Sequence, residues 1–266
     1  MAEVSSISRV GTTEPFYLQV VRGQIGYHKA VFKFGFNPDI DDALETVWAQ
    51  GGMYTYLPSA STLYISSSST ADDAAGTGAR TVTVSGLDAN YDEISVTADM
   101  DGQNGVQLGN AFNWIRVFRV VVETAGSGGQ NAGVLYVGTE SSPTSGVPTN
   151  KYATVAVGDN QTLMALWTVP RGYTAYLLQT DVTVATTQSS KYATTSLVAR
   201  SPGGVFNIKD RFVKSEGSVH QGYDVPQKFL EKTDLEYRAI GDSATTNIAI
   251  SAGMDIIYIQ NRPYPE

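Results

Sequence analysis

Residues 80–98 read Arg-Thr-Val-Thr-Val-Ser-Gly-Leu-Asp-Ala-Asn-Tyr-Asp-Glu-Ile-Ser-Val-Thr-Ala, and this stretch decides the fold class. Its first half alternates, so that Val82 and Val84 share one face of a strand while Thr81 and Thr83 share the other. The Leu-Asp-Ala-Asn segment that follows has turn chemistry, and alternation resumes at Glu93. The stretch therefore predicts two strands joined by a turn.

Working outward, the same pattern recurs along most of the chain. Apolar or alternating segments of about 5–10 residues recur about every 8–12 residues, separated by Gly, Pro, Asn and Asp, which is typical of sandwiches and jelly rolls. We predict an all-β fold with two β-sandwich or jelly-roll-like domains preceded by an extended N-terminal arm. The expected boundaries are an arm at 1–36, a first β-domain at 37–142 and a second at 143–266, the last division following a segment rich in Ser, Pro, Thr and Gly.

Composition excludes several classes of function. The chain of 266 residues carries a net charge of -8 without a basic run, which disfavours nucleic-acid binding. It has no Cys, so disulfides and thiolate metal sites are excluded. No apolar run approaches the roughly 20 residues of a membrane helix, and no signal-peptide pattern opens the sequence. We expect no nucleic-acid partner, no membrane partner and synthesis in a reducing cytosol.

The predicted arm is unusually rich in aromatic residues. Residues 30–36 alternate so that three phenylalanines fall on one face of a strand. Aromatic residues and Arg are favoured in the cores of protein interfaces, so docking on a partner and packing within the chain are both open at this stage. The candidate partner-binding residues are Phe16, Tyr17, Leu18, Val20, Arg22, Ile25, Phe32, Phe34 and Phe36.

Candidate metal ligands and nucleophilic triads are sparse. The two histidines, His28 and His220, have no Cys and no nucleophile motif beside them, and we expect both at the surface or in an interface. The acidic cluster Asp39-Ile40-Asp41-Asp42 lacks the spacing of a calcium loop, so a capping role is the favoured interpretation. No cofactor and no metal are predicted.

Paired carboxylates are the remaining route to catalysis. Glu231, Asp234 and Glu236 are close in sequence, and two acids facing a cleft can hydrolyse a glycosidic bond. A charged turn with local ion pairs is the alternative that we favour. The chain is expected not to be an enzyme, with polysaccharide depolymerase as the least favoured hypothesis.

Three of the more specific segments of the chain are Pro15-Phe16-Tyr17-Leu18, Ala74-Ala75-Gly76-Thr77-Gly78-Ala79-Arg80 and Glu231-Lys232-Thr233-Asp234-Leu235. In these segments and others the chain resembles virion structural proteins of tailed bacteriophages, especially marine ones. The resemblance covers most of the sequence. Its N-terminal part lies at 15–25, 33–41, 45–48 and 51–54, its central part at 74–91, and its C-terminal part at 231–235, 238–239 and 251–252.

This resemblance implies a particle component with a β-sandwich or jelly-roll build that is present in many copies, and it supplies no catalytic residues. The expected function is a capsid decoration, cement or head-fibre protein that binds the major capsid protein or other virion proteins. The alternative is a tail fibre, adaptor or receptor-binding protein. A homotrimer is expected, located in the virion after assembly in the bacterial cytoplasm.

Overall fold

The computed structural model describes residues 14–110, 113–188, 190–242 and 248–261. Within these ranges the chain is almost entirely β, which confirms the predicted fold class. It forms one short helix, α1 (Phe16–Val21), and the strands β1 (His28–Ile40), β2 (Glu45–Thr46), β3 (Tyr64–Ser67), β4 (Ala79–Asp88), β5 (Glu93–Asp99), β6 (Val106–Gln107), β7 (Trp114–Ala125), β8 (Leu135–Gly138), β9 (Ala153–Val155), β10 (Leu166–Thr168), β11 (Tyr173–Thr186), β12 (Ala193–Arg200), β13 (Asn207–Lys214), β14 (Gly217–Phe229), β15 (Asp234–Gly241) and β16 (Ile248–Gln260).

The described strands form four antiparallel sheets. Sheet 1 has the order β1-β16-β11-β14, and sheet 2 has the order β10-β15-β12-β13 with β2 also paired to β15. Sheet 3 has the order β6-β3-β8-β9, and sheet 4 has the order β5-β4-β7. Residues 80–98 lie in β4, in β5 and in the turn between them, and the two strands pair directly from Thr81 with Asp99 to Leu87 with Glu93.

These sheets fall into two groups along the chain. Sheets 1 and 2 are built from residues 28–46 together with residues 166–260, and sheets 3 and 4 are built from residues 64–155. Side chains from all four sheets contribute to one buried apolar cluster. We call the first group the terminal unit and the second group, which lies between its two chain segments, the inserted unit.

Strand pairing crosses both of the expected domain boundaries. β1 runs through position 36 and pairs with β16 from His28 opposite Ile259 to Ile40 opposite Ile248. β8 and β9 pair across position 142, with Leu135 opposite Val155. The expected boundaries followed local composition, whereas the partner of β1 lies more than two hundred residues later in the sequence.

The described part of the predicted arm differs from an extended segment. Residues 1–13 lie outside the described residues. Residues 16–21 form α1, which ends where Gly23 adopts a positive φ of 67° and its N–H binds the carbonyl of Val20. Residues 28–36 belong to β1, whose backbone groups are taken up by β16. The inward face of β1, which carries Lys33, Gly35 and Asn37, is buried.

Candidate functional site

The nine predicted partner-binding residues lie on α1, on β1 and on the segment between them. Phe16, Tyr17 and Leu18 are exposed on α1, whereas Val20 is buried. Arg22 forms an ion pair with Glu14, and Ile25 is half-buried. The helix therefore presents three of its predicted residues to solvent and uses Val20 to pack.

The three phenylalanines of β1 lie on the face that points away from the core. Phe32 is 54% exposed, and Phe34 and Phe36 are half-buried, while the alternate residues Lys33 and Gly35 are buried. Alternation correctly places the phenylalanines together, but the inward face of the strand is the polar and small one. We call the outward face of sheet 1 that carries them the aromatic face.

Polar groups on the inward face of β1 have partners there. Lys33 Nζ donates to the carbonyl of Phe118 on β7, and Asn37 Nδ2 donates to Glu45 Oε2 at 3.0 Å. Gly35 lies against backbone, because a Cβ at this position would come within 2.1 Å of the Ala165 nitrogen. Only a glycine permits this approach. β1 is therefore held with its aromatic residues outward.

A groove opens between α1 and the aromatic face, with a volume of about 560 Å³. We call it the α1 groove. Its apolar walls include Tyr17 and Val21 of α1, Phe32 of β1, Leu178 of β11 and Ile257 of β16, and its lining also includes the carboxylate of Asp255. Two of the predicted residues, Tyr17 and Phe32, thus line one concave surface, and Phe34 lies in a shallower depression beside it.

Acidic groups lie in and beside this groove. Burial raises the pKa of Asp255, the nearby negative charge of Asp181 raises it further, and His220 opposes the shift. His220 Nδ1 lies 2.5 Å from Asp181 Oδ1. Among the described residues, no cationic side chain forms an ion pair with Asp255. The α1 groove therefore combines aromatic walls with a carboxylate that forms no ion pair within the described part of the chain.

A second exposed apolar surface, which contains none of the nine predicted residues, lies at one edge of sheet 2. β13 is an edge strand of sheet 2, and Val205, Ile208 and Val213 are strongly exposed on or next to it. Basic residues, including Lys209 and Arg211, lie between them. Apolar and basic residues are neighbours in the sequence at 208–209 and 213–214, and this is the local signal of the surface, which we call the β13 edge.

The candidate catalytic acids do not converge on a cleft. Asp234 is 3% exposed, and its carboxylate accepts hydrogen bonds from Arg116, Arg200 and Thr168 at 2.6–3.2 Å. Glu231 accepts a hydrogen bond from the backbone N–H of Gly172. Asp234, one of the three acids considered as catalytic candidates, thus binds two arginines inside the protein.

Glu236 is fully buried beside this cluster. Its carboxylate accepts hydrogen bonds from Thr46 Oγ1 at 2.6 Å, from the Tyr56 hydroxyl at 3.0 Å and from the Arg238 guanidinium. Burial raises the pKa of Tyr56 well above its ordinary value, and the charge of Glu236 adds to this effect. With both oxygens engaged, Glu236 has no free lone pair facing solvent for proton transfer.

The remaining ligand candidates lie apart from one another. His28 is half-buried next to α1, and His220 is exposed on β14. Asp41 Oδ1 accepts a hydrogen bond from the N–H of Ala43 in a turn, so its capping role is within a turn and not at a helix. In the ranges that the structure describes, no three His, Asp or Glu side chains cluster as metal ligands would. Nor does any described helix have the length and apolar character needed to cross a membrane.

Comparison with known proteins finds no family and only weak structural similarity. No protein-family model matches the chain, and no curated protein matches it. Among solved structures, the chain is similar to the structure of the infectious bursal disease virus Gx strain, with 9% sequence identity and a TM-score of 0.22. The match covers 97% of this chain and 80% of the viral one. It is also similar to the infectious bursal disease virus VP2 subviral particle, with 11% identity and a TM-score of 0.24 over 91% and 74%. These neighbours are viral structures, and at such TM-scores the likeness carries no argument about function.

Proposed function

We propose that this chain is a non-catalytic structural protein of a bacteriophage particle, which acts by adhesion between protein surfaces as a capsid decoration, cement or head-fibre protein. The observation that carries the proposal is the exposed aromatic face of β1 together with the exposed aromatic residues of α1. Contiguous exposed apolar surface of this kind marks sites of protein–protein contact. The sequence resemblance to tailed-phage virion proteins is the reason for proposing that these contacts are made in a phage particle.

The chemistry of the buried acids supports the non-catalytic part of the proposal. Glycoside hydrolysis requires two carboxyl groups that flank a substrate bond. The carboxylates of Asp234 and Glu236 are instead saturated by arginines and hydroxyl groups inside the protein. These residues hold the fold together, which leaves surface contact as the activity that the geometry favours.

The experiment measures incorporation into particles purified from infected cells. A variant carrying Phe16→Ser, Tyr17→Ser and Phe32→Ser removes three exposed rings while leaving the core intact. We expect it to be folded and to be at least about tenfold depleted from particles, since loss of central interface aromatics costs 2 kcal/mol or more each. The control carries Leu44→Ser, Val157→Ser and Tyr192→Ser, which are exposed apolar residues elsewhere.

Normal incorporation of the triple variant, or absence of the unaltered chain from purified particles, would contradict the proposal. Copy number then separates the two candidate positions. A decoration or cement protein is expected at a copy number comparable with that of the capsid protein, and a tail component at a far lower one.

Deleting residues 1–36, the test that an independent arm would suggest, is unsuitable. It removes most of β1, which leaves the edge of β16 and the inward face of sheet 1 without a partner. We expect that deletion to unfold the terminal unit, whereas substitutions on the outward face leave strand pairing intact.

A further inference from the structure

Two exposed surfaces of this chain carry complementary chemistry. The α1 groove has aromatic and aliphatic walls with an acidic group in its lining. The β13 edge has exposed aliphatic side chains interspersed with cations. They lie on different sheets, since the groove is on sheet 1 and β13 belongs to sheet 2.

Asp255 forms no ion pair with any residue that the structure describes. It lines the α1 groove together with Tyr17 and Phe32. Asp181 lies nearby and raises the pKa of Asp255, while His220, which contacts Asp181 at 2.5 Å, lowers it. A partly buried carboxylate with a second acid beside it is stabilised by an incoming cation, and more strongly so when apolar walls exclude water.

The β13 edge supplies unpaired cations. Lys209, Arg211 and Lys214 form no ion pair with any residue in the described part of the chain, and a single acid, Asp210, lies among them. Arg211 Nε donates to Ser196 Oγ at 3.1 Å, which leaves its terminal nitrogens available. The outer backbone edge of β13 pairs with no described strand.

We propose that the α1 groove binds the β13 edge of a second copy of this chain, with a basic residue of β13 placed against Asp255 and the aliphatic residues of β13 placed against Tyr17 and Phe32. The inference deepens the proposed function and rests on it, because it assigns the exposed aromatic surface to contacts between copies within the particle. Each copy uses its groove toward one neighbour and its β13 edge toward the other.

Charge favours a second copy as the occupant. The chain carries a net charge of -8, so two copies repel each other over most orientations. The 205–214 segment is locally basic, with three basic residues and one acidic residue, and it brings exposed aliphatic side chains as well. A contact between two different surfaces of identical chains is heterologous, and it closes into a ring when the rotation allows. The expected ring is the homotrimer.

The experiment measures the mass of the purified full-length chain in solution by light scattering across a concentration series. Asp255→Lys reverses the charge of the groove, and a variant with Lys209→Glu and Arg211→Glu reverses that of the β13 edge. We expect each variant to weaken association at least tenfold. The chain that carries all three changes restores opposite charges across the contact, and we expect it to associate like the unaltered protein.

Controls separate the contact from general effects of charge and folding. Asp99→Lys makes the same change on exposed β5, and Lys151→Glu reverses a cation of the inserted unit. Both controls are expected to leave the mass unchanged. Asp255→Asn, which keeps the shape of the side chain, is expected to weaken association in the same direction as Asp255→Lys.

Three outcomes overturn the proposal. One is a monomer at all concentrations, and another is an oligomer that neither charge reversal affects. In the second case the basic residues would serve only to prevent edge-to-edge strand pairing, a common role of Lys on edge strands. The third is dissociation by both reversals without restoration in the combined variant.

The outcome for this inference is distinguishable from that for the proposed function. A chain that enters particles but stays monomeric in solution contradicts the contact between copies alone. A chain that forms the charge-dependent oligomer but is absent from particles contradicts the virion role alone.

Discussion

Lys33 is an amine buried on the inward face of β1, with 7% of its surface exposed. Burial lowers its pKa to about 7, and the positive charge of Arg119 contributes in the same direction. Its Nζ contacts the carbonyl of Phe118 on β7, so the side chain connects the terminal and inserted units. Nothing in the alternating pattern of residues 30–36 distinguishes this lysine from a solvent-exposed one.

The pH dependence of stability follows from this shift. Between the folded pKa of about 7 and the ordinary value of 10.5, the unfolded chain binds a proton at Lys33 that the folded chain does not. The free energy of unfolding therefore rises with pH between these two pKa values. Below about pH 7, Lys33 is charged in both states, and the folded protein carries the full cost of burying the charge.

We predict that Lys33→Met abolishes this contribution. As pH rises from about 7 to about 9.5, the free energy of unfolding of the unaltered protein should increase by a few kcal/mol more than that of the variant. The expected slope is about 1.4 kcal/mol for each pH unit. Urea unfolding at the two pH values measures it, with Lys151→Met as the control on a partly exposed lysine. Parallel behaviour of Lys33→Met and the unaltered protein would refute the assignment.

Asp72 organises the turns of the inserted unit. Its fully buried carboxylate accepts hydrogen bonds from Ser67 Oγ and from the backbone N–H groups of Ala79, Ala132 and Gly133 at 2.6–2.8 Å. A charge buried this way is tolerated because four donors replace water.

We predict that Asp72→Ala destabilises the protein by about 3 kcal/mol or more, because buried backbone donors lose their acceptor. Asp73→Ala is the matched control, since this neighbour accepts one exposed hydrogen bond from the N–H of Ala75. Denaturant titration should show less than about 1 kcal/mol for the control. Equal losses for the two variants would contradict this account.

At the scale of elements, local pattern determines which residues of β1 share a face, and tertiary packing determines which of its faces is buried. A two-residue period puts Phe32, Phe34 and Phe36 on one face in any strand. Which face is buried depends on what the strand meets, and β1 meets backbone at Gly35 and an acceptor at Lys33. The nine predicted partner-binding residues consequently fall into an exposed group and a packed group that their sequence alone does not separate.

We predict that Gly35→Ala destabilises the protein by about 2–3 kcal/mol, as overpacking of a tight contact does. The new Cβ would lie 2.1 Å from the Ala165 nitrogen and 2.5 Å from the Val47 carbonyl oxygen, and backbone cannot rotate away as a side chain can. Gly26→Ala is the control, since its Cβ would meet nothing within 4 Å. Thermal unfolding measures both, and an unchanged midpoint for Gly35→Ala would be inconsistent with this close approach.

At the scale of the whole molecule, a buried ionic contact joins the inserted unit to the terminal unit. Arg116 on β7 donates to both oxygens of Asp234 on β15, at 2.9 and 3.0 Å. Burial opposes the charge of Arg116, but the hydrogen bond and negative charge of Asp234 outweigh it and raise the pKa of Arg116. The Arg116 guanidinium also lies over the rings of Tyr56 and Tyr91.

We predict that Arg116→Met lowers the unfolding midpoint by about 10 °C, since breaking a buried ion pair costs about 3–5 kcal/mol and each kcal/mol shifts the midpoint of a chain of this size by roughly 2–4 °C. The control is Arg119→Met, an exposed arginine on the same strand. Scanning calorimetry should show one cooperative transition for the unaltered protein because both units share one buried cluster. A midpoint unaffected by Arg116→Met would show that the pair does not couple the units.

The expected organisation into an arm and two consecutive domains came from composition, and composition is local. Gly, Ser and Pro correctly mark turns, but a turn between β8 and β9 and a boundary between domains have the same composition. The pairing of β1 with β16 joins the two ends of the described chain, and no local signal announces it. The local pattern of residues does not determine the exposure of the β13 edge for a related reason, because side-chain exposure on a strand depends on what packs against its two faces.

What the amino-acid sequence determines on its own is the β class and the facing of side chains along each strand, because both follow from a two-residue period within a few neighbouring residues. Only the tertiary structure decided that the phenylalanines of β1 face outward, that α1 forms a groove over them, and that Asp234 anchors an arginine 118 positions away in the sequence. Those outcomes depend on which distant strands pair. The pairing is determined by burial of apolar surface and by hydrogen bonding of buried polar groups over the whole molecule.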